Sequence, residues 1–378
     1  MFRSFISIII LFILSSCTND QGVQRGGVIP NETITSKPIE QIESAKIDNK
    51  LNIALLVPLG KQKEHIGASL VKAAQLAIAE ANDPDLNLVL LDSELVNQAP
   101  DVLLTKLTEH KVEIILGPLY GAETQKLEPL LKDRDITILS LSNDSSIKGD
   151  SLLMLGVSPD SQADTLVRYA ISQGINDFYL LVPSNKYGQL IERAVADVIA
   201  DKDNTVDKVA WYNQENIDQV IDGLIKLIAS NKNNDKKAIF MPQGGSNIAK
   251  LNNALVKSKL KITLIGGQSW DNSSVLQYPS LEGAILLKKN LAYDNFKDDF
   301  IKHFAAEPNN IDFITYNGFM IIANMHKNNM PLNKQSIIEY YKYGKNLDIT
   351  FNEYGQSLYN MSIIEIHDRN FRKVEYLP

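Results

Sequence analysis

From Leu51 onward, short apolar runs alternate with amphipathic stretches. LNIALLVPL is followed by the helix-like GASLVKAAQLAIAEAN, then LNLVLLD, a helix predicted near 98–110, and VEIILGP. Continuous apolar runs of strand length mark strands buried on both faces, and their interleaving with helices predicts parallel βαβ units. The series goes on with a helix near 121–133, the strand ITILSLS, a connecting SLLMLGVS, a helix near 160–173, and DFYLLVPS. A second series holds a helix near 187–200, TVDKVAWY, a helix near 216–229, KAIFMPQ, a helix near 246–257, and KITLIGGQ. After Glu282 come GAILLKK and helices near 295–305, 312–327 and 334–342. A final run from Ile349 places turn residues between β-prone stretches and predicts a terminal hairpin. The fold class is α/β, with two doubly wound parallel-sheet lobes and a cleft between them.

In such sheets ligands sit beyond the carboxyl ends of the strands, where loops and helix N-termini present backbone N–H groups. The informative loops are therefore those after VPL, LLD, LGP, LSLS, LVPS, MPQ and GGQ. Strand interiors such as Ile53 to Val57 are core.

Composition narrows the function. The 378 residues are 44% apolar and 22% charged, enough to bury a core in two globular units. Lys and Arg number 38 against 45 Asp and Glu, a formal charge of -7, and no dense basic stripe marks a nucleic-acid partner. The five histidines are isolated, with neither a paired helical spacing nor a neighbouring cysteine pair, so no metal is expected. A nucleophile elbow, a phosphate loop and a complete dinucleotide fingerprint are all missing, and no cofactor is expected. Asp92 and Asp144 are the one conceivable acid/base pair. Asp92 is better read as a helix cap and Asp144 as closing the turn in SNDSS, so the chain is read as no enzyme.

Residues 1–17, MFRSFISIIILFILSSC, have one positive residue, Arg3, then an apolar run to Leu14 and small residues before Cys17. This is a signal-peptide layout, since the run of about ten residues is far short of the roughly 20 that cross a bilayer as a helix. Leu14-Ser15-Ser16-Cys17 resembles the lipobox of bacterial lipoproteins, which implies lipidation of Cys17, the only cysteine. Thr18 in place of Asp favours, by the same analogy, an outer-membrane destination. The polar stretch 18–50 lacks apolar periodicity and reads as a flexible tether, about 33 residues spanning roughly 30 Å.

The order of signals resembles the type I periplasmic-binding family, in its leucine-binding-protein branch. The resemblance rests on IALLVPLG, KAAQLAIAEAN, VEIILGPL, ILSLSND, SPDSQA and VPSNKYG, in that order along the chain. It implies crossings between lobes near 158–163, 280–286 and 343–349, with lobe one taking 51–160 plus 286–343 and lobe two 161–285 plus 344–378. Function in this family is binding coupled to hinge closure. In its amino-acid receptors small hydroxyl residues hold the ligand's carboxylate and ammonium. Here those places carry Tyr120, Gly121 and Ala122, then Ser140, Ser142, Asn143 and Asp144. The acid expected to meet the ammonium is replaced by Gln268, which weakens amino-acid binding unless Asp144 substitutes. Tyr187 matches the family's cleft aromatic, and Tyr120 and Trp270 are further cleft candidates.

The Asp that ends LVLLD, the LGPLYG turn, the LSLSND loop, the PSNKYG motif and the GGQSW segment look more like the penicillin-binding protein activator lipoproteins. In that branch the fold is lipid-anchored and stimulates peptidoglycan synthases by contact. The implied protein is thus a membrane-anchored periplasmic regulator partnered by a peptidoglycan synthase. The alternative is the receptor of an ABC importer permease, binding amino acids or another small polar solute.

Overall fold

The computed structural model describes residues 50–200, 205–232, 236–288, 291–343, 349–359 and 361–374. The expected signal peptide 1–17 with Cys17, the expected tether up to residue 49, and most of the expected crossing at 343–349 lie outside the described residues.

The first sheet contains β1 (Leu51–Val57), β2 (Leu86–Asp92), β3 (Ile114–Leu116), β4 (Thr137–Ser140) and β5 (Leu152–Met154), ordered β2-β1-β3-β4-β5 and parallel throughout. Every residue of β1 is buried, as an apolar run between two helical layers requires. Between these strands run α1 (Glu64–Ala81), α2 (Leu95–Gln98), α3 (Pro100–Glu109) and α4 (Gly121–Leu130). The helix expected near 98–110 is α3, which Pro100 opens, and the short α2 precedes it because Pro100 has no N–H to continue that helix. The connecting segment SLLMLGVS supplies β5, an edge strand on β4.

Ser158 begins the passage to the second sheet. Its hydroxyl caps α5 (Pro159–Ser172) by accepting the Ser161 N–H at 3.1 Å, with Pro159 in the first turn. Next come β6 (Ile175–Pro183), α6 (Lys186–Ile199), β7 (Thr205–Tyr212), α7 (Ile217–Ser230), β8 (Lys236–Met241), α8 (Ser246–Ser258), β9 (Thr263–Gly266) and β10 (Ile285–Lys288). Three short 3₁₀ turns between Gln268 and Leu281 link β9 to β10.

The chain then returns to the first sheet as α9 (Leu291–Phe304), α10 (Asn310–Lys327) and α11 (Lys334–Tyr343). Phe319, Ile322, Met325 and Ile337 join the core over β1 and β3. Two hairpins follow where a single one was expected. The first is β11 (Ile349–Phe351) with β12 (Ser357–Tyr359), and the second is β13 (Ser362–His367) with β14 (Asn370–Val374). The second sheet is ordered β14-β13-β10-β9-β8-β6-β7, antiparallel only at β10-β13 and β13-β14.

Two lobe assignments made from sequence are corrected here. Residues 286–288, assigned to lobe one, hydrogen-bond to β9 or β13 in the second sheet. Residues 349–359, assigned to lobe two, sit on the first: Met154 N–H donates to Gly355 at 2.8 Å, and the Tyr359 hydroxyl to the Leu155 carbonyl at 2.7 Å. In both places a β-prone run fits either lobe by pattern, and the partner strand decides.

Candidate functional site

The loops after β3 and β4 meet at the start of α4. Gly117 makes this turn at φ 114°, and a Cβ there would sit 2.1 Å from the Leu56 carbonyl oxygen, so only glycine fits. Ser140, at the end of β4, is fully buried. Its hydroxyl lies 2.7 Å from that of Thr124 and 3.2 Å from the Pro118 carbonyl, and accepts the Ser142 N–H at 3.2 Å. Ser142 in turn accepts the Asp144 N–H at 3.1 Å. The Asp144 carboxylate accepts both the N–H and the hydroxyl of Ser146, at 3.1 and 2.5 Å. It also lies over the first residue of α4, where a Cβ on Gly121 would be 3.2 Å from Asp144 Oδ2. A helix N-terminus attracts negative charge, and the chain's own Asp144 carboxylate lies beside this one.

Around this turn, Tyr120 is half-buried beneath the Lys63 ammonium, 4.5 Å from its ring centroid, while Ala122 and Asn143 are exposed. Sequence reasoning missed Glu123, one residue beyond Ala122. It is 5% exposed, and burial pushes its carboxyl above the usual glutamate range despite the nearby Ser93 hydroxyl and Lys63.

On the second sheet Tyr187 is half-buried in the first turn of α6, whose cap is Asn185 accepting the Gly188 N–H at 3.1 Å. Burial pushes the Tyr187 hydroxyl up to about 12, countered in part by a hydrogen bond with Gln162. Gln268 is half-buried in the turn after β9. Trp270 differs from its expected role. It is fully buried among Tyr179, Tyr212, Ile248 and Leu286, and a Cβ on Gly266 would sit 2.3 Å from its indole. Gly266 and Gly244 make room for this ring, which is core and presents no surface to a cleft.

The structure ties Ser140, Ser142 and Asp144 into one network on the first sheet. Tyr187, Gln268 and Trp270 belong to the second. A cavity of about 650 Å³ does join the two lobes, but none of the nine predicted side chains lines it. Asp271 and Asn272 after β9 and Lys288 at the end of β10 form one side. Tyr293 and Lys297 of α9 and Glu307 before α10 form the other, with Lys297 and Glu307 paired at 2.8 Å. The Tyr293 hydroxyl donates to the Pro308 carbonyl at 3.3 Å, and burial together with nearby carboxylates lifts it to about 12. The polar turns DNSS after Trp270 and EPNN at the start of α10 were the sequence signals for these walls. Polar turns of that kind recur along the chain, and only the fold pairs these two.

Two mainly parallel sheets joined by repeated passages, with a cavity between them, suit a protein that holds a guest between lobes. Residues 50–335 match the model of the periplasmic binding protein family. The chain belongs to that family. Its branch is the leucine-binding one, and the members are extracytoplasmic binding proteins rather than enzymes. An uncharacterized protein of Rickettsia prowazekii is 25% identical over 313 residues, covering 79% of this chain and 78% of its own. The penicillin-binding protein activator LpoA of Haemophilus ducreyi is 20% identical over 259 residues. That match covers 67% of this chain, which spans 43% of the activator's length. Among solved structures, a putative branched-chain amino acid ABC transporter protein of Rhodospirillum rubrum superposes with a TM-score of 0.72 at 14% identity, covering 86% of this chain and all of that one. A solute-binding protein of Rhodopseudomonas palustris, bound to 3,4-dihydroxybenzoic acid, gives 0.66 at 14%, covering 87% and 97%. These structural likenesses establish the fold.

Proposed function

We propose that this periplasmic binding protein is a lipid-anchored regulator of peptidoglycan synthesis, acting by contact with a synthase and without catalysis, as the activator lipoproteins do. The observation that carries the reading is the Asp144 carboxylate lying against the first residue of α4. In the amino-acid receptors this turn receives the ligand's carboxylate, and a second carboxylate placed there would meet like charge in a partly desolvated site. Ser140 and Ser142 point the same way, since their hydroxyls are engaged within the loop. The similarity to the Haemophilus ducreyi activator and the Cys17 lipobox support the reading.

A second reading, the solute receptor of an ABC importer, draws on the cavity between the lobes. Its lining of both charge signs suits a small polar solute. Thermal unfolding against amino acids, small polar solutes and aromatic acids separates the two. A native-state ligand at one hundred times its Kd adds about 2.7 kcal/mol and raises the melting temperature. The regulator reading expects no shift with any of them and faster glycan polymerisation when the protein is added to a penicillin-binding synthase. A clear shift with one solute, and no effect on the synthase, would establish the receptor instead.

A further inference from the structure

One passage between the sheets leads from β5 to α5, and another from β12 to β13. The β11–β12 ribbon fastens the two together on the first lobe. Ser357 is 1% exposed and shares its hydroxyl between the Leu155 and Gly156 carbonyls, at 3.1 and 3.2 Å. Tyr359 donates to the same Leu155 carbonyl, and Gly355 accepts from Met154. Parting a buried hydroxyl from its acceptor leaves both unsatisfied, so ribbon and passage hold together. The ribbon is itself fixed, since Ile349 and Phe351 are buried in the first lobe's core, with Phe351 edge-on to Tyr341 of α11 at 6.1 Å. Only Val157 and Ser158 then lie between the fastened Gly156 and α5, which Ser158 caps. The later passage is as short, because β13 begins at Ser362, opposite Lys288 of β10. A motion of one lobe against the other bends both passages within a few residues, at neighbouring points.

The same ribbon and passage hold the Asp144 loop at both ends. Leu155 and Gly156 donate their N–H groups to the Ser140 and Ser142 carbonyls, at 2.7 and 3.1 Å. From the other side the Gln356 side-chain amide donates to the Ser145 carbonyl at 2.5 Å, while its oxygen accepts from Asn352 at 3.1 Å. The bond to Ser145 joins residues 211 apart in sequence and caps no helix, so it is a tie between ribbon and loop. Asp144 lies between the two attachments.

We infer that the β11–β12 ribbon is a brace coupling the Asp144 loop to the hinge between the lobes, with Ser357 and Tyr359 positioning the hinge side and Gln356 the loop side. Whatever displaces the loop pulls through Gln356 on the ribbon, and the ribbon carries the displacement to the two passages. Such coupling is reciprocal, so a change in lobe angle also shifts the loop. The brace acts in the same way whether the protein contacts a synthase or captures a solute, since it needs only the loop and the hinge.

The test reads each end of the brace from the other. Nitroxide labels on Lys132→Cys and Lys257→Cys, at exposed positions of the first and second lobe, report the lobe distance by pulsed electron spin resonance in the full chain carrying Cys17→Ser. Gln356→Ala, which cuts the tie to the loop, should widen the distance distribution relative to the parent. Tyr359→Phe with Ser357→Ala, which cuts the hinge side, should speed amide exchange at Asp144 and Ser146 by roughly three- to tenfold, the weight of one ordinary hydrogen bond. Should that pair not fold, Tyr359→Phe alone is read in the same way. Leu358→Ala, which removes an exposed side chain of the ribbon, should do neither. A ribbon that only stabilises the first lobe would lower the melting temperature and leave both readouts as in the parent, and that result overturns the brace. So does the failure of either readout alone, or an equal effect from Leu358→Ala.

Discussion

Trp270 and Glu123 illustrate how much a single buried group constrains this protein. The indole of Trp270 is fully buried and fills space left by Gly244 and Gly266. Trp270→Ala should cost about 3–5 kcal/mol, read as a lower denaturant midpoint with an unchanged slope. Glu123 carries an acid inside the first sheet's loop layer. Its folded pKa is raised, so the native state holds the proton more tightly than the unfolded chain does. Stability therefore falls as pH rises from the usual glutamate value of 4.5 through the higher folded value, and below that window the penalty is gone. Glu123→Gln should melt higher than the parent at neutral pH, with the gap closing under acid conditions. A gap independent of pH would mean that packing, and not ionisation, sets the cost.

At the scale of elements, caps and pairings do the positioning. α10 starts with a complete capping box: Asn309 accepts the Ile311 and Asp312 N–H groups at 2.9 and 3.2 Å, and Asp312 accepts the Asn309 N–H at 2.8 Å. That turn also borders the cavity between the lobes. Asn309→Ala should destabilise by about 1 kcal/mol, seen in chemical denaturation. It should also loosen amide-exchange protection at 310–313 more than elsewhere. The caps at Ser158, Asn185 and Asn309 all stand as small polar residues just before helical periodicity. The β11–β12 ribbon gave no comparable signal. Its short strands are β-prone, as β13 and β14 are, and hydrogen bonds to Met154 and Leu155 assign it to the first sheet.

For the whole molecule, the proposed scheme has the described lobes follow an apolar leader and a polar stretch along the chain. Among the described residues no helix is long and apolar enough to cross a membrane. In the proposed scheme attachment is through Cys17. Cys17→Ser should release or mislocalise the protein without lowering the melting temperature of its body, which membrane fractionation beside a thermal scan would reveal. Unchanged membrane attachment would remove the lipid anchor from the proposal. Function through contact with a synthase or through solute capture is likewise a property of the assembled lobes, since each loop network taken alone is only a set of satisfied turns.

The alternation of apolar runs and amphipathic segments by itself determined the α/β class, the doubly wound halves and the loops at the strand ends. Strand burial and helix amphipathicity are local periodic properties, written in consecutive residues. The caps at Ser158 and Asn185 and the glycine turn after β3 belong to the same local order. Tertiary structure alone decided that Trp270 is core, that Asp144 lies over α4, that Glu123 is buried, and that DNSS and EPNN wall one cavity. It also moved residues 286–288 and 349–359 to the sheets that hold them. Each of these depends on a partner far away in sequence, and a side chain's burial or charge environment is set by that partner's position, which no local pattern encodes.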